Sequence, residues 1–229
     1  MAIKDSDLIF GTEEVLVSLC NSVVRVFSIA TQSKFHYSGM VQRITKIGLK
    51  PDIGCFVLFD GGFSGLVVLN FSAATAMEIY EKYMLTMGMP KSELAISHTS
   101  DEVGNIMGEL MNQIVGDFTS KVRRELQTNI TQNQPKMLVL NKQVMLSVDT
   151  PLDRPEIRRV TFYSESNNIF YLELAIDRTE FIKLHDFVPE AASDPDTVMA
   201  ESQQNAGAAS ASSTPPDDDH NDFLKSLGM

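Results

Sequence analysis

The chain contains no tryptophan, and its 229 residues include only two cysteines, Cys20 and Cys55. One thiol sits in a helical pattern and the other in a strand-like run. That excludes a disulfide scaffold and reads as two buried free cysteines in a reducing compartment. Histidine is sparse too: His36, His98, His185 and His220 are scattered, and no Cys/His spacing marks a metal site. Basic residues number 19 against 30 acidic ones, and the resulting net charge of −11 argues against nucleic acid, whose phosphates require a basic surface. The start, Met1-Ala2-Ile3-Lys4-Asp5-Ser6-Asp7, lacks a basic run followed by an apolar block, so no signal peptide is expected. Apolar runs are interrupted well short of the roughly 18 residues of a bilayer span. These absences point to a cytoplasmic protein with no membrane segment.

The acidity is uneven. Residues 190–229 carry eight acidic side chains and one basic one, so −7 of the −11 lies there. From Glu190 the composition collapses to Ala, Ser, Gln, Asp and Pro, which cannot bury enough apolar surface to offset ordering, and disorder is expected. The reading therefore divides the chain into a folded domain at 1–188, a disordered acidic linker at 189–216, and a short amphipathic peptide at 217–229.

Within the first 188 residues, apolar periodicity predicts a helix from Glu13 to Thr31, capped by Thr12, with Val15, Leu16, Leu19, Val23, Val26 and Phe27 inward. A strand is expected at about Tyr37–Gly48. Ile53–Phe59 and Gly65–Phe71 read as a hairpin across Asp60-Gly61-Gly62-Phe63-Ser64. Ser72 caps a helix over Ala73–Thr86, ended by Gly88 and Pro90. The longest amphipathic segment opens at Ser100 and Asp101 and runs to Leu126. Strands follow at Val139–Val148, Arg159–Tyr163 and Ile169–Ile176, and Asp177–His185 reads as a short helix. This order implies an α/β (α+β) sandwich, with long helices packed on one face of a mostly antiparallel sheet.

The segment from Asp101 divides cleanly at 100° per residue. Val103, Ile106, Met107, Leu110, Met111, Ile114 and Phe118 form the inward face, while Glu102, Asn105, Glu109, Asn112 and Gly116 share the opposite stripe. Glycine destabilises a helix interior by about 1 kcal/mol, so Gly104, Gly108 and Gly116 call for a reason such as close approach of another backbone. Elsewhere the chemistry is thin. Gly61-Gly62-Phe63-Ser64-Gly65 is neither a nucleophile elbow nor a phosphate loop.

The string Glu109-Leu110-Met111-Asn112-Gln113-Ile114-Val115-Gly116 resembles the E-x-x-N-x-x-x-G signature of the CheC/CheX phosphatase family. The preceding order, with a strand ending Leu69-Asn70-Phe71-Ser72 and then a helix, is similar too. The resemblance covers about residues 10–185. It implies a partner, a phosphorylated CheY-like response regulator, whose aspartyl-phosphate would be hydrolysed. Asn112 would orient the attacking water and Glu109 would pair with a lysine of the receiver, with Asn105 and Gly116 contacting the partner. It implies no cofactor of the chain's own, Mg²⁺ being supplied by the receiver. Relatives often pair through sheet edges, so a homodimer is compatible with it. Asn105 stands where the family often has Asp or Ser, which keeps open an alternative: an adaptor that sequesters or localises a receiver or a flagellar component without turnover. Glu102 and Asn105 form a second E-x-x-N, but only Glu109 and Asn112 are followed by glycine at the matching offset.

The last residues, Asn221 to Met229, place Phe223, Leu224 and Leu227 on one side of a nascent helix capped by Asn221 or Asp222. They resemble the C-terminal docking peptide of CheZ, an unrelated phosphatase of the same receivers, and so mark Asp222, Phe223, Leu224 and Leu227 as partner-binding. A flexible linker of about 30 residues spans roughly 30 Å, which would let peptide and helix hold one receiver together.

Overall fold

The computed structural model describes residues 9–145 and 155–182. In chain order the elements are β1 (Ile9–Phe10), α1 (Thr12–Thr31), β2 (Phe35–Arg43), β3 (Gly48–Leu49), β4 (Ile53–Gly61), β5 (Gly65–Phe71), α2 (Ala73–Thr86), α3 (Asp101–Leu126), β6 (Ile130–Gln132), β7 (Lys136–Val139), β8 (Val144–Met145), β9 (Glu156–Ser164), β10 (Ile169–Ile176) and β11 (Phe181–Ile182). All of them fall within a single compact unit, Met1–Leu184.

The main sheet is seven-stranded and antiparallel throughout, in the order β2-β9-β10-β5-β4-β6, with β7 also on the outer edge of β4. Alternation decides which residues face the helices: Ile53, Cys55, Val57 and Phe59 from β4, Val67, Leu69 and Phe71 from β5, and Phe170, Leu172, Leu174 and Ile176 from β10. All three helices pack on that face. Phenylalanine takes the volume that tryptophan would fill elsewhere. Phe170 lies 5.0 Å from Phe162, 5.1 Å from Phe71 and 5.5 Å from Phe27, ring centroid to centroid. Such pairs add about 0.5–1.5 kcal/mol each beyond burial alone. Cys20 and Cys55 are buried within the same core, and burial pushes both thiols up to about 12, which leaves them inert.

The other face of the sheet has a cover of its own. Ile47 and Leu49 pack on Leu66, Val68 and Ala175, and β3 pairs with β8 in a two-stranded ribbon. The ribbon is fastened by buried polar groups. Asn70 accepts from the Lys50 amide at 2.6 Å and donates to the Gly48 carbonyl at 3.0 Å, and Glu173 accepts from the Gly48 amide at 3.1 Å and from Arg159 at 2.8 Å. Strand β5 is therefore buried on both sides along its whole length, with Asn70 its one polar side chain.

The expected sandwich is present, with several local corrections. Helix α1 begins at Thr12, and its cap is Gly11, whose amide donates to Glu14 Oε2 at 2.9 Å. The expected Thr12 cap is thus one residue late. Helix α1 is also long and apolar enough to cross a membrane by length and composition, yet Leu19 and Val23 are fully buried on the sheet and it serves as a core helix. The strand expected at Tyr37–Gly48 starts at Phe35 and stops at Arg43. Of the strand expected at Val139–Val148, the described part is Val139 at the end of β7 and the short β8, and 146–148 lie outside the described residues. The helix expected at Asp177–His185 is wrong over its described part: Phe181–Ile182 form β11, paired with Ile9–Phe10. Tertiary pairing there overrides a weak local pattern. The linker at 189–216 and the peptide with Asp222, Phe223, Leu224 and Leu227 lie outside the described residues.

Candidate functional site

Helix α3 carries the Glu109/Asn112 stripe, and its two faces separate as the apolar periodicity predicts. Ser100 caps it through its side chain, accepting from the Val103 amide, and Arg123 and Arg124 suit the negative end of its dipole. Val103, Leu110, Ile114 and Phe118 are fully buried, whereas Asn105, Glu109 and Asn112 are exposed. The buried face fixes the rotation of the helix, and the polar stripe follows from it.

Asn105, Glu109 and Asn112 line one open groove of about 410 Å³. Its far wall comes from the segment around β7, with Gln134, Pro135, Met137 and Val139. Its floor includes two glycines with different roles. A Cβ on Gly104 would come within 2.6 Å of Met137 Cε, so this glycine admits a side chain of the same chain. A Cβ on Gly108 would meet nothing within 4 Å. The expected packing reason therefore applies to Gly104, through a side chain rather than a backbone, and not to Gly108.

The pair itself is held lightly. Gln113 Nε2 donates to Glu109 Oε1 at 3.1 Å, and Gln132 Nε2 donates to Asn112 Oδ1 at 2.9 Å. The earlier E-x-x-N is different, because Glu102 Oε2 accepts from the Tyr80 hydroxyl at 3.0 Å, and that hydroxyl also accepts from the Ala95 amide at 3.1 Å. Tyr80 is fully buried, so Glu102 anchors α3 to α2 and to the connection between them. Gly116 is not in the groove. It lies a turn farther on, beside a second hollow of about 710 Å³ with Arg25, Ile29, Met87 and Asp117. Its carbonyl accepts from Thr119 and Ser120, and a Cβ there would meet nothing within 4 Å. Among the described residues no group of three or more His, Cys, Asp and Glu side chains gathers as a cation site.

Sequence reasoning did not single out Gln132 or the 134–135 loop. Gln132 reaches Asn112 because β6 pairs with β4, setting Gln132 opposite Phe59, and no local pattern announces a contact made across such a distance along the chain.

A family model described as Protein of unknown function (DUF3334) matches residues 6–229. The chain belongs to that family. None of the curated proteins matches it. Among solved structures, this DUF3334 member is similar to CheX from Vibrio vulnificus, at 15% identity and a TM-score of 0.57 over 71% of this chain and 99% of that one. It is similar as well to a CheC-like superfamily protein from Shewanella sp. PV-4, at 16% identity and a TM-score of 0.57 over 71% and 96%. A third is CheX in the CheX–CheY–BeF3–Mg²⁺ complex from Borrelia burgdorferi, at 14% identity and a TM-score of 0.52 over 72% and 98%. At such identities the likeness establishes the fold, and the fold is that of the CheC/CheX proteins.

Proposed function

We propose that this DUF3334 protein engages a phosphorylated CheY-like response regulator through the α3 groove and accelerates hydrolysis of its aspartyl-phosphate, in chemotaxis or two-component signalling. The observation that carries the reading is the placement of Glu109 and Asn112, both exposed, one turn apart, on the wall of a groove open to an incoming molecule. A fold shared with a CheX solved together with CheY adds support.

Phosphoryl transfer depends on positioning and charge stabilisation more than on a strong base. Asn112 presents donor and acceptor groups on one carboxamide, suited to holding a water in line with the bond that breaks. The water oxygen bonds to phosphorus, the bond from phosphorus to the aspartyl oxygen breaks, and the water's proton passes to the departing phosphate. Glu109 pairs with a lysine of the receiver and fixes the register of docking. Mg²⁺ comes with the receiver. Open space above Gly108 lets the partner approach the helix backbone.

The test is phosphate release from a panel of phosphorylated receivers, with wild type compared against Asn112→Ala and Glu109→Ala. Acceleration by wild type, lost in both variants, supports the reading. Receiver binding without acceleration supports a second one, an adaptor that sequesters or localises the receiver, which Asn105 in place of Asp or Ser favours. The peptide at 217–229 is proposed as a second docking element. Deleting Asp217–Met229 should lower receiver affinity with the melting temperature unchanged, and equal affinity would dispose of that element.

A further inference from the structure

Gln132 is held by a strand that is itself fastened on several sides. Its neighbours Ile130 and Thr131 pair with Gly61 and Asp60, the Asn133 amide donates to the Leu58 carbonyl at 3.0 Å, and Thr131 Oγ1 donates to the Asp60 carbonyl at 3.1 Å. From that fixed point Gln132 Nε2 donates to Asn112 Oδ1. Its own Oε1 is buried with no partner among the described residues.

A buried carboxamide oxygen without a partner is unfavourable, and methionine would occupy the same volume without it. The hydrogen bond made by this amide is the one to Asn112. The Asn112 side chain, in turn, makes no other hydrogen bond among the described residues. An exposed asparagine on a helix otherwise samples several rotamers, and its amide turns readily about the last torsion.

We infer that Gln132 is a positioning residue, holding the Asn112 amide in one orientation with Oδ1 toward β6. Both Nδ2 hydrogens and one Oδ1 lone pair are then left for whatever occupies the groove. The kinetic consequence rests on the proposed hydrolytic reading; the positioning itself does not.

The experiment separates the two. In the full-length protein, the side-chain amide signals of Asn112, assigned by their loss in Asn112→Ala, are followed by ¹H–¹⁵N NMR in Gln132→Met and Gln132→Glu. Methionine removes the hydrogen bond while preserving volume, so the Asn112 signals should shift and lose order, with backbone signals outside β6 and its neighbours unchanged. Glutamate can only accept, so it should draw Nδ2 toward β6 and shift the signals differently. In phosphate release, Gln132→Met should lower kcat about tenfold with the KM for the receiver unchanged, the mark of a misplaced group rather than lost binding. Unchanged Asn112 signals in both variants would overturn the inference, whatever the rates. Should Asn112→Ala leave phosphate release unaltered, the hydrolytic reading falls, and the NMR comparison still decides whether Gln132 positions the amide.

Discussion

Two consecutive stretches of α3 carry the same residue pair at the same spacing, Glu102 with Asn105 and Glu109 with Asn112. Their surroundings give them different work. Glu102 is bound to a buried tyrosine hydroxyl that also receives a backbone amide, so moving it would disturb the joint between α2 and α3. Among the described residues the Glu109 carboxylate is bound only by the exposed Gln113 one turn along, a partner it can exchange for another molecule's cation. The glycines of the same helix differ in the same way, Gly104 being filled by Met137 and Gly108 open. Spacing brings a residue to a face. What lies above that face decides whether it belongs to the fold or is free for a partner.

The contrast can be tested at graded cost. Asn112→Ala should produce the largest effect, a loss of about 2–4 kcal/mol of transition-state stabilisation in phosphate release. Its melting temperature should stay close to wild type, since the side chain is exposed. A carboxylate wholly committed to structure should behave in the opposite manner. Glu78 accepts from Ser164 at 2.6 Å, from Asn168 and Ser166 at 2.8 Å and from Lys82 at 2.9 Å, tying the β9–β10 turn to α2. Burial alone would push this carboxyl up, but those hydrogen bonds together outweigh it and lower it from 4.5 to about 2. A lowered carboxyl contributes stability that is fully present above its ordinary value and is lost as pH falls through the lowered one. Acid titration of stability between about pH 4.5 and 2 should therefore be flatter in Glu78→Ala than in wild type. At neutral pH the same substitution should lower stability by about 2 kcal/mol in chemical denaturation.

Glu102→Ala comes next, with about 1 kcal/mol lost in stability and phosphate release retained in the protein that remains folded. Equal loss of activity on replacing Glu102 and Glu109 would break the distinction between them. The smallest effect has the opposite sign. Gly108→Ala should raise stability by about 0.5–1 kcal/mol, because the added methyl meets open space in a helix interior. The same methyl should weaken receiver binding where the partner comes close to the backbone. A thermal melt and a binding isotherm on one preparation would check both.

What could be read from sequence follows the range of the interactions. The two faces of α3, its start at Ser100 and Asp101, the β4–β5 hairpin and the Ser72 cap are set by residues within a few positions of one another, and all of them are present. The local pattern over β11 suggests helix, and the strand forms because its partner is Ile9–Phe10, at the other end of the described chain. The ribbon of β3 and β8 is hidden for the same reason, since Gly48 meets Met145 through backbone pairing that no periodicity encodes. At the site, Glu109 and Asn112 were legible as a motif on one stripe. Gln132 was not, because its place beside Asn112 depends on the register of β6 along β4. The Glu102 anchor was equally hidden until Tyr80 came to lie beneath it.

Helix α3 also has a bearing on how recognition could change over time. Its inward residues are locked into a buried apolar core, while Asn105, Gly108, Glu109 and Asn112 line the open groove, and a Cβ on Gly108 would meet nothing within 4 Å. Outward positions can be exchanged one at a time without any side chain of the core having to move. Under the proposed function, a lineage would pass between signalling partners, or between hydrolysis and mere tethering, by a handful of surface substitutions on an unaltered scaffold.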